Sequence, residues 1–348
     1  MPSDPLRTAL DRLLAGRDLS AAEMQAAVAG IMDGGADEVR MAAFLTALRI
    51  KGETVEELAG AASAMIERAA PVRSARTGLL DTCGTGGDGL RTFNISTATA
   101  LVAAAAGVPV AKHGNRSVSS SSGSADVLEA LGVDLRLTPA QVGACLDEVG
   151  IGFCFAPLVH GAMKHAAPVR QRLGFRTVFN LLGPLTNPAG AEFQLVGAHR
   201  VETAEKLAHA LAALGRARAT VVCGDDALDE VALWGETCVF RVRPGDVRRE
   251  AWTAASFGLP ECSVEELRVD SAEESAGMIR ELLAGGRGAA RDIVVANTAA
   301  ALWTAERAAD LVAATAQAAA ALDTGRAREL LARLADWTRR AGDAEALP

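Results

Sequence analysis

Twice in this chain a short apolar run stops at a loop of glycines and hydroxyl residues that leads straight into a helix-forming run. The first is Leu79-Leu80-Asp81, which passes through Thr82-Cys83-Gly84-Thr85-Gly86-Gly87-Asp88 to Asn94-Ile95-Ser96-Thr97 and an alanine-rich stretch ending at Ala106. The second is Val108-Pro109-Val110-Ala111, followed by Lys112-His113-Gly114-Asn115-Arg116-Ser117-Val118-Ser119-Ser120-Ser121-Ser122-Gly123-Ser124-Ala125-Asp126 and a helical run to Leu131. Strand, loop and helix in that order confine the chain to an α/β class with a mainly parallel sheet, whose ligands sit beyond the C-terminal ends of the strands. Glycines let backbone N–H groups approach an oxyanion with no Cβ in the way. The first turn of a helix leaves its N–H groups unpaired, and its dipole favours anions. Both loops are thus equipped to hold phosphates, with a metal such as Mg2+ beside them. Two of them in one domain imply a substrate with phosphate at both ends.

The stretch before the first loop reads differently. Leu6, Leu10, Leu13 and Leu14 fall at helical spacing, Ser20/Glu23 and Thr54/Glu57 form capping boxes, and no strand pattern occurs up to residue 70. A helical domain over 1–73 follows, with an α/β domain over 74–348. Thr138-Pro139 starts a further helix. Strands are expected at Phe193–Ala198, Thr220–Cys223, Cys238–Val242 and Asp292–Val295, with helices over 202–214, 264–284, 297–322 and 326–342. The segment of about 160–190 breaks this rhythm and is expected to rejoin the helical domain as a hinge.

The net charge is −8 and no basic stripe is visible, which disfavours a nucleic-acid or membrane-surface partner. Phosphates must then be held by local donors and a metal rather than by a global field. None of the six cysteines forms a CxxC pair, which excludes an ordinary zinc site and suits reduced thiols in a cytoplasmic protein. No apolar run approaches the roughly 18 residues of a membrane span.

Within the first loop, Asp88 and the Asn94–Thr97 cluster raise the reading above that of a plain glycine turn. A serine run such as that in the second loop is often a linker, but a linker is out of place inside an α/β repeat, and Lys112 offers a point charge to a phosphate. His113 by itself reads as a packing or capping residue. Arg170 and Arg176 flank a hydrophobic turn, and Arg176 reads as a surface salt bridge or helix cap. Asp229-Glu230, on the loop after Thr220–Cys223, would ordinarily be solvated. Facing two phosphate loops, they become candidates for Mg2+.

Taken together, Gly84–Asp88, Asn94–Thr97, Lys112–Arg116, Ser122–Asp126, Arg176–Pro188, Asp229-Glu230 and Lys51-Gly52-Glu53-Thr54 resemble the anthranilate phosphoribosyltransferase family over nearly the whole length. The resemblance implies a small helical domain and a large α/β domain, a homodimer formed through the helical domains, and the ligands 5-phospho-α-D-ribose 1-diphosphate, Mg2+ and anthranilate. It implies that the phosphoribosyl donor is held by Gly84, Gly87, Asp88, Thr92, Asn94, Ile95, Ser96, Thr97, Lys112, His113, Gly114, Asn115, Arg116, Ser117, Val118, Ser119, Ser120 and Ser124. Ser96, Asp229 and Glu230 would serve Mg2+, and Gly84, Asn115 and Arg170 would contact anthranilate. No obligatory catalytic acid or base is assigned. Four positions depart from the family pattern: Ser121 stands where Lys is common, Gly161 for Pro, Cys223 for His and Ala227 for Gly. Two rival readings are a pyrimidine nucleoside phosphorylase, which would need one phosphate site and a nucleobase pocket, and a non-catalytic nucleic-acid-binding relative, which would need a basic groove.

Overall fold

The computed structural model describes residues 4–116 and 123–345. Ser117, Val118, Ser119, Ser120, Ser121 and Ser122 lie outside the described residues. Four helices open the chain: α1 (Pro5–Leu14), α2 (Ala21–Met32), α3 (Glu38–Lys51) and α4 (Val55–Glu67). Both expected capping boxes are formed, Ser20 with Glu23 and Thr54 with Glu57. Glu57 reaches further: fully buried, it also accepts the Leu19 N–H and pairs with Lys51 at 3.0 Å, joining the ends of α3 and α4 to the start of α2.

The alternating part then runs β1 (Leu80–Gly84), α5 (Ile95–Ala105), β2 (Val110–Gly114), α6 (Ser124–Ala130), α7 (Pro139–Val149), β3 (Ile151–Phe155), α8 (Ala156–Val159), α9 (Ala167–Leu173), α10 (Phe179–Leu182), β4 (Phe193–Gly197), α11 (Val201–Ala213), β5 (Arg218–Gly224), β6 (Thr237–Arg243), β7 (Asp246–Trp252), α12 (Ala272–Leu283), α13 (Ala289–Thr304), α14 (Leu311–Asp323) and α15 (Arg326–Glu345). Strand order is β3-β2-β1-β4-β5-β6-β7, parallel through β5, with β6 and β7 antiparallel. The mainly parallel sheet is the one expected.

One expected strand is a helix. Ile293-Val294-Val295 has strand-like composition, yet it lies in α13, which packs against α5 and α14. A short apolar run does not distinguish a strand from a turn of a fully buried helix. The expected helix over 297–322 is two, divided between Thr304 and Leu311. Strands β3 and β7 were not expected. The segment after α8 packs on the N-terminal helices, with α9 against α3, the 3-10 turn Gly161–His165 against α2, and α10 against α4. No helix among the described residues is long and apolar enough to cross a membrane.

Sheet order reverses between β1 and β4, because β2 and β3 lie on one side of β1 and β5 lies beyond β4. A crevice forms beyond the C-terminal ends of strands at such a switch point. Gly84 and Gly197, the last residues of β1 and β4, are in register there.

Candidate active site

At the switch point the two glycines make room for Asp229. A Cβ on Gly84 would stand 2.3 Å from Asp229 Oδ2, and one on Gly197 would stand 1.5 Å from the Asp229 carbonyl oxygen. Asp229 Oδ2 accepts the Gly86 N–H at 2.7 Å. Its neighbour Glu230 follows it on the same loop. The loop after β5 therefore brings a carboxylate onto an N–H group of the first glycine loop.

Charge is out of balance here. Burial, and then repulsion from Asp229, lifts the Asp88 carboxyl to about 6. Burial also raises Asp229, and burial with repulsion from Asp229 raises Glu230. Asp81, fully buried on β1, is raised by burial as well; one oxygen accepts the His113 N–H at 3.0 Å. Lys112 is the buried cation among them, 2% exposed, with Nζ donating to the Thr82 carbonyl at 2.6 Å and to Ser96 Oγ at 3.1 Å. It thus sits under the floor of the crevice, not in the open.

A divalent cation suits this arrangement. The desolvated carboxylates repel one another, and Mg2+ takes one or two protein carboxylates with waters and substrate phosphates supplying the rest. Among the described residues no three His, Cys, Asp or Glu side chains converge as a ligand set.

Asn94 caps α5 through its side-chain oxygen, which accepts Thr97 N–H at 2.9 Å and Ser96 Oγ–H at 3.2 Å. Its amide reaches Ser124 Oγ at 3.4 Å, so the two loops touch at their helix ends. Thr92 is held in a short antiparallel bridge to Arg268. Gly114 closes β2, where a Cβ would meet the Phe153 ring at 2.8 Å. Asn115 turns back on its own loop, its side-chain oxygen accepting Arg116 N–H and its carbonyl accepting Ala125 N–H. The Arg116 guanidinium pairs with Asp126 and Glu129 and lies over the Phe155 ring. Ile95 and Thr97 are buried in α5, so their side chains face the core. Gly87 keeps a positive φ of 77°.

His113 is tied up inside the protein. Its Nδ1–H donates to the Gly183 carbonyl at 3.1 Å, and burial pushes it down to about 4. It belongs to a clasp that sequence reading missed. Four consecutive carbonyls, those of Gly183, Pro184, Leu185 and Thr186, each accept from a different side chain: His113, Gln194, Arg216 and His160. Asn187 adds a bond to the Ala111 carbonyl. The clasp fixes the turn after α10 to the ends of β2 and β4.

Ahead of that turn, Arg170 is half-buried, lies over the Phe179 ring and reaches Asn180 Oδ1 at 3.5 Å. Among the described residues it has no ion-pair partner, and burial lowers its pKa. A guanidinium in this state suits a planar carboxylate arriving from outside. Arg176 corrects the sequence reading: it makes neither a surface ion pair nor a helix cap, but donates to the Gly86 carbonyl at 2.9 Å and the Thr85 carbonyl at 3.1 Å. Gly197 was also missed, although a glycine ending a strand signals close approach of another chain segment.

Of the four departures from the family pattern, Ser121 lies outside the described residues. Gly161 has open space around it, Cys223 is buried in β5, and Ala227 lies in the turn after it. All six thiols are free, and burial lifts Cys145 and Cys223 to about 12 and Cys262 to about 11, with Cys83, Cys154 and Cys238 also raised.

A phosphate-loop crevice at a sheet switch point, walled by half-buried carboxylates, defines a class of group-transfer enzyme acting on phosphorylated substrates. The sequence matches the family model for the glycosyl transferase family a/b domain over 76–328 and that for its helical bundle domain over 7–69. Anthranilate phosphoribosyltransferases from Desulforudis audaxviator and Symbiobacterium thermophilum are 51% and 48% identical to it, each over 96% of this chain and 97% and 98% of their own. The crystal structure of the Thermus thermophilus anthranilate phosphoribosyltransferase superposes with a TM-score of 0.90 at 43% identity, over 97% of this chain and all of that one. The Saccharomyces cerevisiae enzyme, solved in complex with PRPP and Mg, gives 0.88 at 28% identity, over 96% of this chain and 98% of that one. The chain belongs to the anthranilate phosphoribosyltransferase family.

Proposed function

We propose that this protein transfers the phosphoribosyl group of 5-phospho-α-D-ribose 1-diphosphate to the amine of anthranilate, releasing diphosphate. The observation that carries this reading is the pairing of two unlike recognition elements: a glycine loop with half-buried carboxylates for a metal-borne diphosphate, and the half-buried Arg170, without an ion-pair partner among the described residues, for a carboxylate. Gly84, Gly87, Asp88, Thr92, Asn94, Ser96 and Thr97 hold the donor from the first loop, and Gly114, Asn115, Arg116 and Ser124 from the second. Arg170, Asn115 and Gly84 hold anthranilate. Ser96, Asp229 and Glu230 are the residues that would hold Mg2+, which when bound neutralises the leaving diphosphate. Lys112 lends its charge from beneath, stabilising the ionised carboxylates. His113 acts through the clasp and not by touching the donor.

As the C1–O bond weakens, positive charge grows on the sugar and negative charge on the diphosphate, so the chain's task is positioning and electrostatic stabilisation. The attacking aromatic amine is neutral at pH 7 and needs no strong base. Asn115 orients it. The helical residues 1–73, joined by about 160–190, form one domain and 74–348 the other. Leu14, Val39 and Ile50, exposed on α1 and α3, support a homodimer through the helical part. A phosphorylase would have no use for Asp229 and Glu230 as metal residues, and a nucleic-acid binder would not leave the carboxylates in excess.

The test follows the loss of anthranilate fluorescence when donor is added, with and without Mg2+. A Mg2+-dependent decay is expected; no decay with folded protein overturns the reading. Replacing Arg170 by Ala should raise the apparent KM for anthranilate about tenfold, a loss of roughly 1.4 kcal/mol, and leave that for the donor nearly unchanged. Equal effects would sink the Arg170 assignment.

A further inference from the structure

The Gly86 peptide is gripped from both sides. Its N–H donates to Asp229 and its carbonyl accepts from Arg176 Nη1, while Nη2 of the same guanidinium takes the preceding carbonyl of Thr85. The Thr85 N–H in turn donates to the Gly197 carbonyl at 2.9 Å. Gly86 and Gly87 have φ of 63° and 77°, so the loop has no side-chain sterics of its own to hold it there. Its shape comes from these outside contacts.

Arg176 is suited to the part. It is half-buried, and its guanidinium donates to backbone carbonyls. A planar fork can bridge two successive carbonyls, which an ammonium cannot do with the same geometry. Its place in the chain adds a second consequence. Arg176 follows α9, which carries Arg170, and is succeeded by Thr177, whose N–H donates to the same Asn180 oxygen that Arg170 reaches. One short segment therefore touches the donor loop at one end and presents the unpaired guanidinium at the other.

We propose that Arg176 is a positioning residue, a strap that fixes the Thr85–Gly86 carbonyls so that the first loop is shaped for the donor before the donor arrives. The proposal rests on the transferase reading above for its kinetic part, but the strap itself can be tested without turnover.

The experiment compares the wild type with Arg176→Ala and Arg176→Lys by amide hydrogen exchange on ligand-free protein, thermal unfolding, and initial rates with each substrate varied. In Arg176→Ala, exchange is expected to quicken at residues 84–88 and the apparent KM for the donor to rise about tenfold, with anthranilate's KM within about twofold of wild type and the melting midpoint little changed. Arg176→Lys should fall between the two. Unchanged exchange and unchanged donor KM in a folded variant would overturn the proposal. So would faster exchange spread over the N-terminal helices and 160–190, because that marks a general packing role. Should Arg176→Ala fail to fold, Arg176→Lys decides by the same criteria. If the wild type itself shows no transfer, the functional reading fails, and exchange at 84–88 still settles whether the strap exists.

Discussion

The two glycine-rich loops look alike in sequence, but their described parts are held differently. The first is held from afar: Gly86 by Asp229 and Arg176, residues 143 and 90 positions away, and Thr85 by the end of β4. The second, where its flanks are described, is braced past Gly114 by its own neighbourhood, although His113 at its start reaches the Gly183 carbonyl 70 positions away. Arg116 pairs with Asp126 and Glu129, 10 and 13 positions on, and Asn115 bonds to Arg116 and Ala125. The Asn94–Ser124 hydrogen bond joins them. A loop gripped by distant elements takes its shape from the whole fold and can be disturbed from anywhere those elements lie. A locally braced segment is disturbed chiefly at home.

Gly197→Ala is the harshest way to break the first loop. The new methyl would overlap the Asp229 carbonyl, backbone that cannot step aside cheaply. Overpacking of about 1–3 kcal/mol in urea unfolding, with transfer activity abolished, is the expected result; near-normal activity would mean that the Asp229 loop is not fixed by β4. Next comes Asp229→Asn, which preserves volume but removes charge. Transfer should fall roughly 10²–10³-fold and lose much of its response to Mg2+ titration, with the melting midpoint nearly retained.

The underside of the second loop gives a pH test. Burial holds His113 and His160 down at about 4, against an ordinary 6.5. The unfolded chain takes up protons below pH 6.5 while the native rings stay neutral, so stability is lost as pH falls from about 6.5 to about 4, by at most roughly 1.4 kcal/mol per pH unit for each ring. Urea midpoints at pH 7 and pH 5 measure it, and His160→Gln should flatten the slope. The smallest effect is expected from Arg116→Ala. The pair it breaks is exposed, so stability should change by less than about 1 kcal/mol, and the donor KM should rise less than in Arg176→Ala. A larger rise would show that the second loop, too, depends on a strap.

What the sequence revealed follows the same division. Glycines, caps and strand ends are local chemistry, and they located both loops, α5 and the acidic pair Asp229-Glu230. Contacts across the fold left no local trace. Arg176 meets backbone carbonyls, so no partner residue type marks it. The clasp on residues 183–186 is also made to carbonyls, and although His113 read as a packing or capping residue, nothing local named Gly183 as its partner. Strand β7 was missed because Arg248, Arg249 and Glu250 give an edge strand too little apolar alternation to read. Ile293–Val295 misled for the converse reason, being apolar on all sides within α13.

The buried thiols have a practical corollary. Alkylating reagents attack the thiolate, and burial raises all six native cysteines, which slows their alkylation near neutral pH. A cysteine introduced at the exposed Asp270, across from Arg91 at the edge of the first loop, would take a dye against a dark background, giving a spectroscopic reporter of that edge with every native sulfur left in place.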